Sequence, residues 1–350
     1  MDWIHIIGGG MAGLSLAAKL AEYKKLPGNV VISEPNTSCT INQTFCYWER
    51  KEESLKQLRT KSFDSWVFST KTESISHYGE SWEYNLLKGP RFFEDCMDKI
   101  KQNPSIKIIP QKLDRMPKAC HVFDSRPPLS SSFRVCQSIY GLELFYKKGH
   151  KLDPSGAILM GDMRTDGEDF FFNYLLPLDE QRLILEATAF GTKRVPKKRL
   201  IGIIESFISQ YGVEAEITGE EGGYIPMGLK ATPLDSLGFP IGARGDMARN
   251  SSGYSFLTVQ TWAKLCAESL VENDSKKLFG KKLLEKTTDD IFLRIIENDV
   301  KSIPNIIFSM ANSMSGDCFA EFMTEVKINN FLSVIAAVPK FPFLRSLLVR

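Results

Sequence analysis

The sequence predicts an α/β protein: a Rossmann-like nucleotide-binding domain with an inserted antiparallel β-rich domain and a C-terminal helical region. Three observations predict it. From Trp3 to Glu34 the chain reads strand, glycine turn, helix, strand. The middle, from about Phe133 to Gly228, is a succession of short β-rich runs. Beyond about Asp274 the pattern becomes helical and rich in Leu, Ile and Phe.

The N-terminal unit is a βαβ motif, with strands over Trp3–Ile7 and Asn29–Glu34 and a helix over Ala12–Tyr23. Gly8, Gly10 and Gly13 form GxGxxG between the first strand and the helix. Gly8 permits the tight turn, Gly10 lets the backbone approach a pyrophosphate, and Gly13 lets the helix pack on the strand. The helix start offers unpaired N–H groups and a positive dipole end to phosphates. Glu34 closes the second strand 21 residues after Gly13, where a carboxylate would accept ribose hydroxyls. The motif alone does not separate FAD from NAD. Its N-terminal position and the β-rich insertion favour FAD.

The middle segments SIYGLELFYKKG, AILMGDMR, FFFNYLLPL, RLILEATAF and ITGEEGGYIPMG read as strands of an antiparallel sheet. A helix over Lys197–Tyr211 interrupts them, with Ile201, Ile204, Phe207, Ile208 and Tyr211 at helical spacing. From Ser251 to Glu272 the pattern is helical again. The expected plan is a discontinuous FAD-binding domain over 1–130 and 235–272, a substrate domain over 131–234, and a C-terminal helical cap over 273–350.

Composition narrows the function classes. A chain of 350 residues, 43% hydrophobic and 25% charged, buries a large core. A net charge of +2 argues against nucleic acid as the main partner. Seven Cys, with no CxxC pair and only four His, read as free thiols in a reducing compartment, with no metal site. The chain opens directly on strand residues, so no secretory leader is expected, and no apolar run reaches the ~18 residues of a membrane span. The expected location is cytoplasmic.

Beyond the βαβ unit, a series of segments resembles the bacterial FAD-dependent lycopene β-cyclases, in the same order and at similar spacing. Asn42-Gln43-Thr44-Phe45 with Trp48 is similar to the family's NHTW segment, and Arg91-Phe92 to its RF pair. His121–Arg126 resembles the strand ending in IDGRG, and Tyr140-Gly141-Leu142-Glu143, preceded by Gln137, the FxGxE segment. Phe172–Thr188 resembles an aromatic strand, a Pro-Leu turn and a strand ending in an acidic-Thr motif. Glu220–Pro226 resembles EEGxxP, and Gly242–Ser255 the flavin-contacting loop with its Gly-Tyr-Ser ending. Four departures stand out. Ala187 replaces one carboxylate of the acidic-acidic-Thr motif, and Arg249-Asn250 a His-Pro pair. Asp124-Ser125-Arg126-Pro127 lacks a glycine of the IDGRG turn, and Asp246 stands at a family glycine.

The resemblance implies a lycopene cyclase, an isomerase (intramolecular lyase) of carotenoid biosynthesis that protonates a terminal alkene, closes a ring and loses a ring proton. It implies FAD in reduced form, NADPH as the reductant, and lycopene as substrate. Glu186 is then the acid/base, since a carboxyl after the apolar run Leu183-Ile184-Leu185 would hold its proton. Glu221, with Glu220, is a second acidic candidate or a solvated turn. Arg91, Asp124, Gly242, Asp246, Gly253 and Tyr254 join Gly8, Gly10, Gly13 and Glu34 as FAD contacts. Phe172, Tyr174, Tyr224 and Pro226, with Phe170 and Phe171, are substrate contacts or plain core. Phe331, Leu332, Ile335, Phe341 and Phe343 offer a membrane-surface patch or a packed C-terminal helix. The competing readings are an FAD-dependent reductase or hydroxylase that consumes NADPH and a catalytically inactive binding protein.

Overall fold

The computed structural model describes residues 2–38, 43–52, 54–128, 133–211, 214–229, 235–273, 283–340 and 342. In chain order the strands are β1 (Asp2–Ile7), β2 (Val30–Ser33), β3 (Thr44–Arg50), β4 (Lys61–Phe63), β5 (Ser65–Ser69), β6 (Ser74–Tyr78), β7 (Trp82–Lys88), β8 (Ile106–Ile109), β9 (Ala119–Asp124), β10 (Phe133–Phe145), β11 (Gly156–Thr165), β12 (Phe170–Pro177), β13 (Arg182–Gly191), β14 (Glu216–Leu229) and β15 (Phe239–Pro240). The helices are α1 (Met11–Ala21), α2 (Gly89–Lys101), α3 (Lys197–Tyr211), α4 (Phe256–Glu272), α5 (Leu283–Asp299), α6 (Ile303–Asn312), α7 (Gly316–Thr324) and α8 (Ile328–Ala337). They fall into two compact units. The first is Met1–Tyr47, Leu87–Phe133 and Leu229–Lys281; the second is Trp48–Leu86, Arg134–Gly228 and Lys282–Arg350.

The first unit is built on a five-stranded parallel sheet of order β15-β9-β1-β2-β8. Parallel neighbours need a crossover, and α1 supplies it between β1 and β2. The helix buries Leu14, Leu16, Ala17 and Leu20. Helix α4 packs along α1, where the Gln260 amide donates to Ser15 Oγ at 2.8 Å. The helix expected from Ser251 begins at Phe256, because Gly253 takes a left-handed φ of 74° that no helix continues.

The second unit carries a seven-stranded sheet of order β14-β10-β13-β12-β11-β5-β6. The expected antiparallel pairing holds for β10–β13, β13–β12 and β12–β11, but β5 joins β11 in parallel. That pair corrects the expected plan. Trp48–Leu86, assigned from sequence to the nucleotide domain, belongs with the second unit because β5 extends its sheet and β6 folds back onto β5. The C-terminal helices group there too rather than forming a separate cap.

Strand alternation gives this sheet two distinct faces. On one, Tyr140, Leu142, Leu144, Phe171, Leu175, Leu183, Leu185 and Ala187 pack against Leu200 and Ile204 of α3. On the other lie Gly141, Phe172, Tyr174, Glu186 and Thr188, brought side by side by the register Gly141↔Glu186↔Tyr174. Among the described residues no helix is long and apolar enough to cross a membrane.

At the β5–β6 end, His77 is buried among Trp66, Phe68 and Phe319. Trp66 Nε1–H donates to His77 Nδ1 at 3.2 Å, so Nε2 carries the proton and donates to the Ala311 carbonyl at 2.9 Å. Burial, opposed by the Ala311 bond, lowers the imidazole pKa below its ordinary value. The sign follows directly. Stability from neutral His77 is complete above about pH 6.5 and falls as pH drops toward the folded-state value, by at most about 1.4 kcal/mol per pH unit. Urea unfolding at about pH 7.5 and 5.5 checks this: the drop in stability on acidification shrinks in His77→Gln, and an undiminished drop contradicts the assignment.

Candidate functional site

In the first unit a tight glycine turn joins β1 to α1. A Cβ on Gly13 would lie 2.1 Å from the Gly8 carbonyl oxygen, so only glycine lets α1 start this close to β1. Gly8 holds a φ of 98°, open to glycine alone among ordinary turns. Gly10 is the N-cap of α1, without a side-chain cap, and nothing lies within 4 Å of where its Cβ would be. The first N–H groups of the helix therefore open onto free space at the positive dipole end. Glu34 stands at the end of β2, as expected, and Gly9 N–H donates to its Oε2 at 2.7 Å. Asn36 N–H donates to Oε1 at 2.9 Å, and each oxygen retains a lone pair for a further donor.

The Gly242–Ser255 loop reaches the same place. Gly242, at a φ of 64°, comes so close to Ala12 of α1 that a Cβ would sit 2.9 Å from the alanine methyl. Asp246 caps the short turn Gly242–Gly245 with a φ of 55°. That left-handed conformation is one glycine adopts freely and Asp tolerates. Gly253 is buried and Tyr254 half-buried, its carbonyl accepting from Arg249 N–H at 2.8 Å. These residues fit a dinucleotide: an open, uncapped helix start, a carboxylate at the second strand end and a glycine loop against the first helical turn.

Arg91 and Asp124 sit in contrasting settings. Arg91 is exposed in the first turn of α2. Asp124 is fully buried, with both oxygens engaged by the Arg126 guanidinium at 2.9 and 2.7 Å and one accepting from Leu237 N–H at 3.0 Å. Burial alone would raise its pKa, but the Arg126 bonds, the Leu237 N–H and the Arg244 charge hold it below the usual carboxylate range. Asp124 pins the turns of this unit together through an internal ion pair.

In the second unit Glu186 lies on the face of the large sheet opposite the α3 core. It is half-buried by exposed area yet withdrawn from bulk water. Burial first, and the charge of Glu221 second, push its pKa up to about 8, against the pull of a hydrogen bond from Thr188. The Thr188 hydroxyl donates to Glu186 Oε1 at 2.7 Å and fixes the carboxyl on this face. Tyr174 lies directly across on β12, and Phe172 meets it edge-on with ring centroids 5.3 Å apart. Phe170 and Phe172 share this face as core aromatics, whereas Phe171 points into the α3 core, beneath the guanidinium of Arg199.

The β14 candidates separate by alternation. Glu221 turns toward Glu186, while Glu220 pairs with Lys197. Pro226 is buried; Tyr224 is 48% exposed and stacks under Arg194, whose guanidinium carbon lies 3.3 Å from the ring centroid. The structure thus unites Glu186, Glu221, Thr188, Tyr174 and Phe172, and leaves Tyr224 at the surface. Sequence reasoning quoted Gly141 within the FxGxE segment but gave it no role; it lies between the two carboxylate side chains. A glycine inside a strand pattern was its available signal. The apolar patch expected at the C-terminus is represented by α8, where Leu332 and Ile335 are exposed and Phe331 half-buried. Phe341 and Phe343, like Asn42, lie outside the described residues.

Comparisons with known proteins follow the same lines. The family described as "Lycopene cyclase protein" matches residues 3–299. No curated protein matches by sequence. Among solved structures, a flavoprotein/dehydrogenase from Cytophaga hutchinsonii superposes with a TM-score of 0.63 at 12% identity, covering 99% of this chain and 98% of that one. A geranylgeranyl bacteriochlorophyll reductase-like protein from Thermoplasma acidophilum gives 0.61 at 10% identity, covering 98% of each. A p-nitrophenol 4-monooxygenase from Pseudomonas putida gives 0.54 at 12%, covering 99% and 97%. At these identities the likeness is one of fold.

Proposed function

The chain belongs to the lycopene cyclase family, and we propose that it cyclises the linear ψ-ends of lycopene to β-ionone rings by proton transfer without net redox change. The observation that carries this is Glu186, a carboxyl on an apolar strand that stays protonated up to about pH 8 beside two aromatic rings. At neutral pH it is an acid with its proton in place.

Each step balances. The Glu186 O–H bond breaks as a C–H bond forms at the terminal alkene, leaving a cation on the substrate and a carboxylate on the enzyme. Ring closure moves the positive charge into the new ring. The carboxylate then takes a ring proton, restoring both the acid and a double bond. Thr188 holds the carboxyl in place throughout, and the faces of Tyr174 and Phe172 favour the cation over water. FAD in its reduced form, primed by NADPH, would supply the negative charge that favours a carbocation when bound. Gly8, Gly10 and Gly13, with Glu34 and the Gly242–Tyr254 loop, hold the dinucleotide through backbone N–H groups and the strand-end carboxylate.

Lycopene resides in bilayers, so the protein must visit a membrane surface. The stripe Ile328, Leu332 and Ile335 on α8, each at least 41% exposed, is a short amphipathic face suited to interfacial contact. Cosedimentation with lipid vesicles tests it: Leu332→Asp releases the protein, and unchanged binding removes α8 from that role.

Expression in lycopene-accumulating bacteria tests the proposal as a whole. Conversion of the red pigment to orange cyclised carotenoids supports it. A folded, yellow protein that leaves the pigment red favours instead an FAD-dependent reductase or hydroxylase using NADPH; a protein named reductase-like and a monooxygenase share this fold.

A further inference from the structure

Ala187 replaces a carboxylate of the acidic-acidic-Thr motif, so the chain has lost one acid beside Glu186 in sequence. The structure changes what that loss means. Neighbouring residues of a strand point to opposite faces, and Ala187 is fully buried in the α3 core. A carboxylate at 187 would therefore sit behind the sheet from Glu186. Glu143 on β10 shares Glu186's face opposite Ile184, but the acid whose charge acts on Glu186 is Glu221 of β14, two strands away in the order β14-β10-β13. Between them on β10 stands Gly141, paired directly with Glu186. A Cβ at Gly141 would lie 3.4 Å from Glu186 Cβ, 3.5 Å from Glu186 Cγ and 3.5 Å from Glu221 Cγ. Both acidic side chains thus flank the space that a side chain at 141 would fill.

We propose that Gly141 is a positioning residue whose absent side chain lets Glu186 and Glu221 work as one acid–base pair holding a single proton. This rests on the proton-transfer reading above and deepens it. With Glu221 ionised, two charges so close are disfavoured, and the proton stays on Glu186. When Glu186 gives it up, its O–H bond breaks, a C–H bond forms on the substrate, and two adjacent carboxylates remain. Their repulsion strengthens the base that must take back the ring proton, and that transfer returns the pair to its single-proton state. Glu143 on β10 and Tyr174 on β12 share the face. On α3, Lys197 is bound to Glu220, and Arg199 to Asp166 and Asp169. On α5, which packs on β13, Asp290 and Glu297 are held by Arg134.

NMR titration of protein carrying carboxyl-labelled glutamate tests the pairing without any substrate, so its outcome is independent of whether lycopene is cyclised. The parent shows one glutamate titrating near pH 8, and Glu186→Gln removes that signal. Glu221→Gln lowers its midpoint by about one pH unit. Gly141→Val, with Gly141→Ser as the smaller replacement, lowers it similarly in whichever variant folds, and adds nothing once Glu221 is glutamine. A midpoint unmoved in Glu221→Gln overturns the pair. One unmoved in a folded Gly141 variant overturns the positioning role.

Discussion

Glu186→Gln abolishes ring formation while leaving the fold and flavin content intact, a loss of about 100- to 10,000-fold, the range for removing a general acid. Glutamine keeps the shape of the side chain and an oxygen for the Thr188 hydroxyl, which donates to Glu186 Oε1 at 2.7 Å. It cannot give or take a proton. The substitution also removes a buried ionisable group from an apolar strand, so thermal stability holds or rises slightly. Rate of ring formation, flavin absorbance and melting temperature together separate a chemical loss from a structural one. Retained cyclisation in a folded, flavin-loaded Glu186→Gln protein rules this residue out as the acid.

Gly13→Ala removes flavin binding and lowers stability together. Its methyl would meet the Gly8 carbonyl at 2.1 Å, backbone against backbone, so α1 must move off β1. Such overpacking costs about 1–3 kcal/mol, and the displaced helix no longer aims its N–H groups into the turn. Gly10→Ala isolates the second effect. Nothing lies within 4 Å of its Cβ, so the variant folds as the parent does, yet the methyl occupies the space left for phosphate. The expected pattern is loss of both flavin and melting temperature in Gly13→Ala, and loss of flavin alone in Gly10→Ala. Full flavin retention in both contradicts the placement of the dinucleotide.

The contrast between these glycines shows what local sequence encodes. The βαβ unit was legible because an apolar strand, a helix with buried Leu14, Leu16 and Leu20, and a second strand succeed one another within a short stretch. The helix over Lys197–Tyr211 was likewise legible to the residue, from isoleucines at helical spacing. Long-range pairing was not. Nothing in Ser65–Ser69 announces that it lies parallel to Gly156–Thr165, so Trp48–Leu86 was placed in the wrong unit. At the site, Glu186 was readable from its apolar strand and motif. The roles of Gly141 and Ala187 depend on cross-strand register and on which face a residue takes, and neither is a local property. The internal pairing of Asp124 was hidden for a related reason: Arg126 lies two residues away, but Leu237 and Arg244 arrive from over a hundred residues away.

At the centre of this account is a carboxylic acid that lends a proton to an alkene and takes another back, with flavin unchanged overall. Turnover of lycopene in D2O with a measured supply of NADPH tests that most directly. The account predicts one deuterium retained in each ring formed, and NADPH use that does not grow with product. Rings free of deuterium, or NADPH oxidised in proportion to product, contradict it.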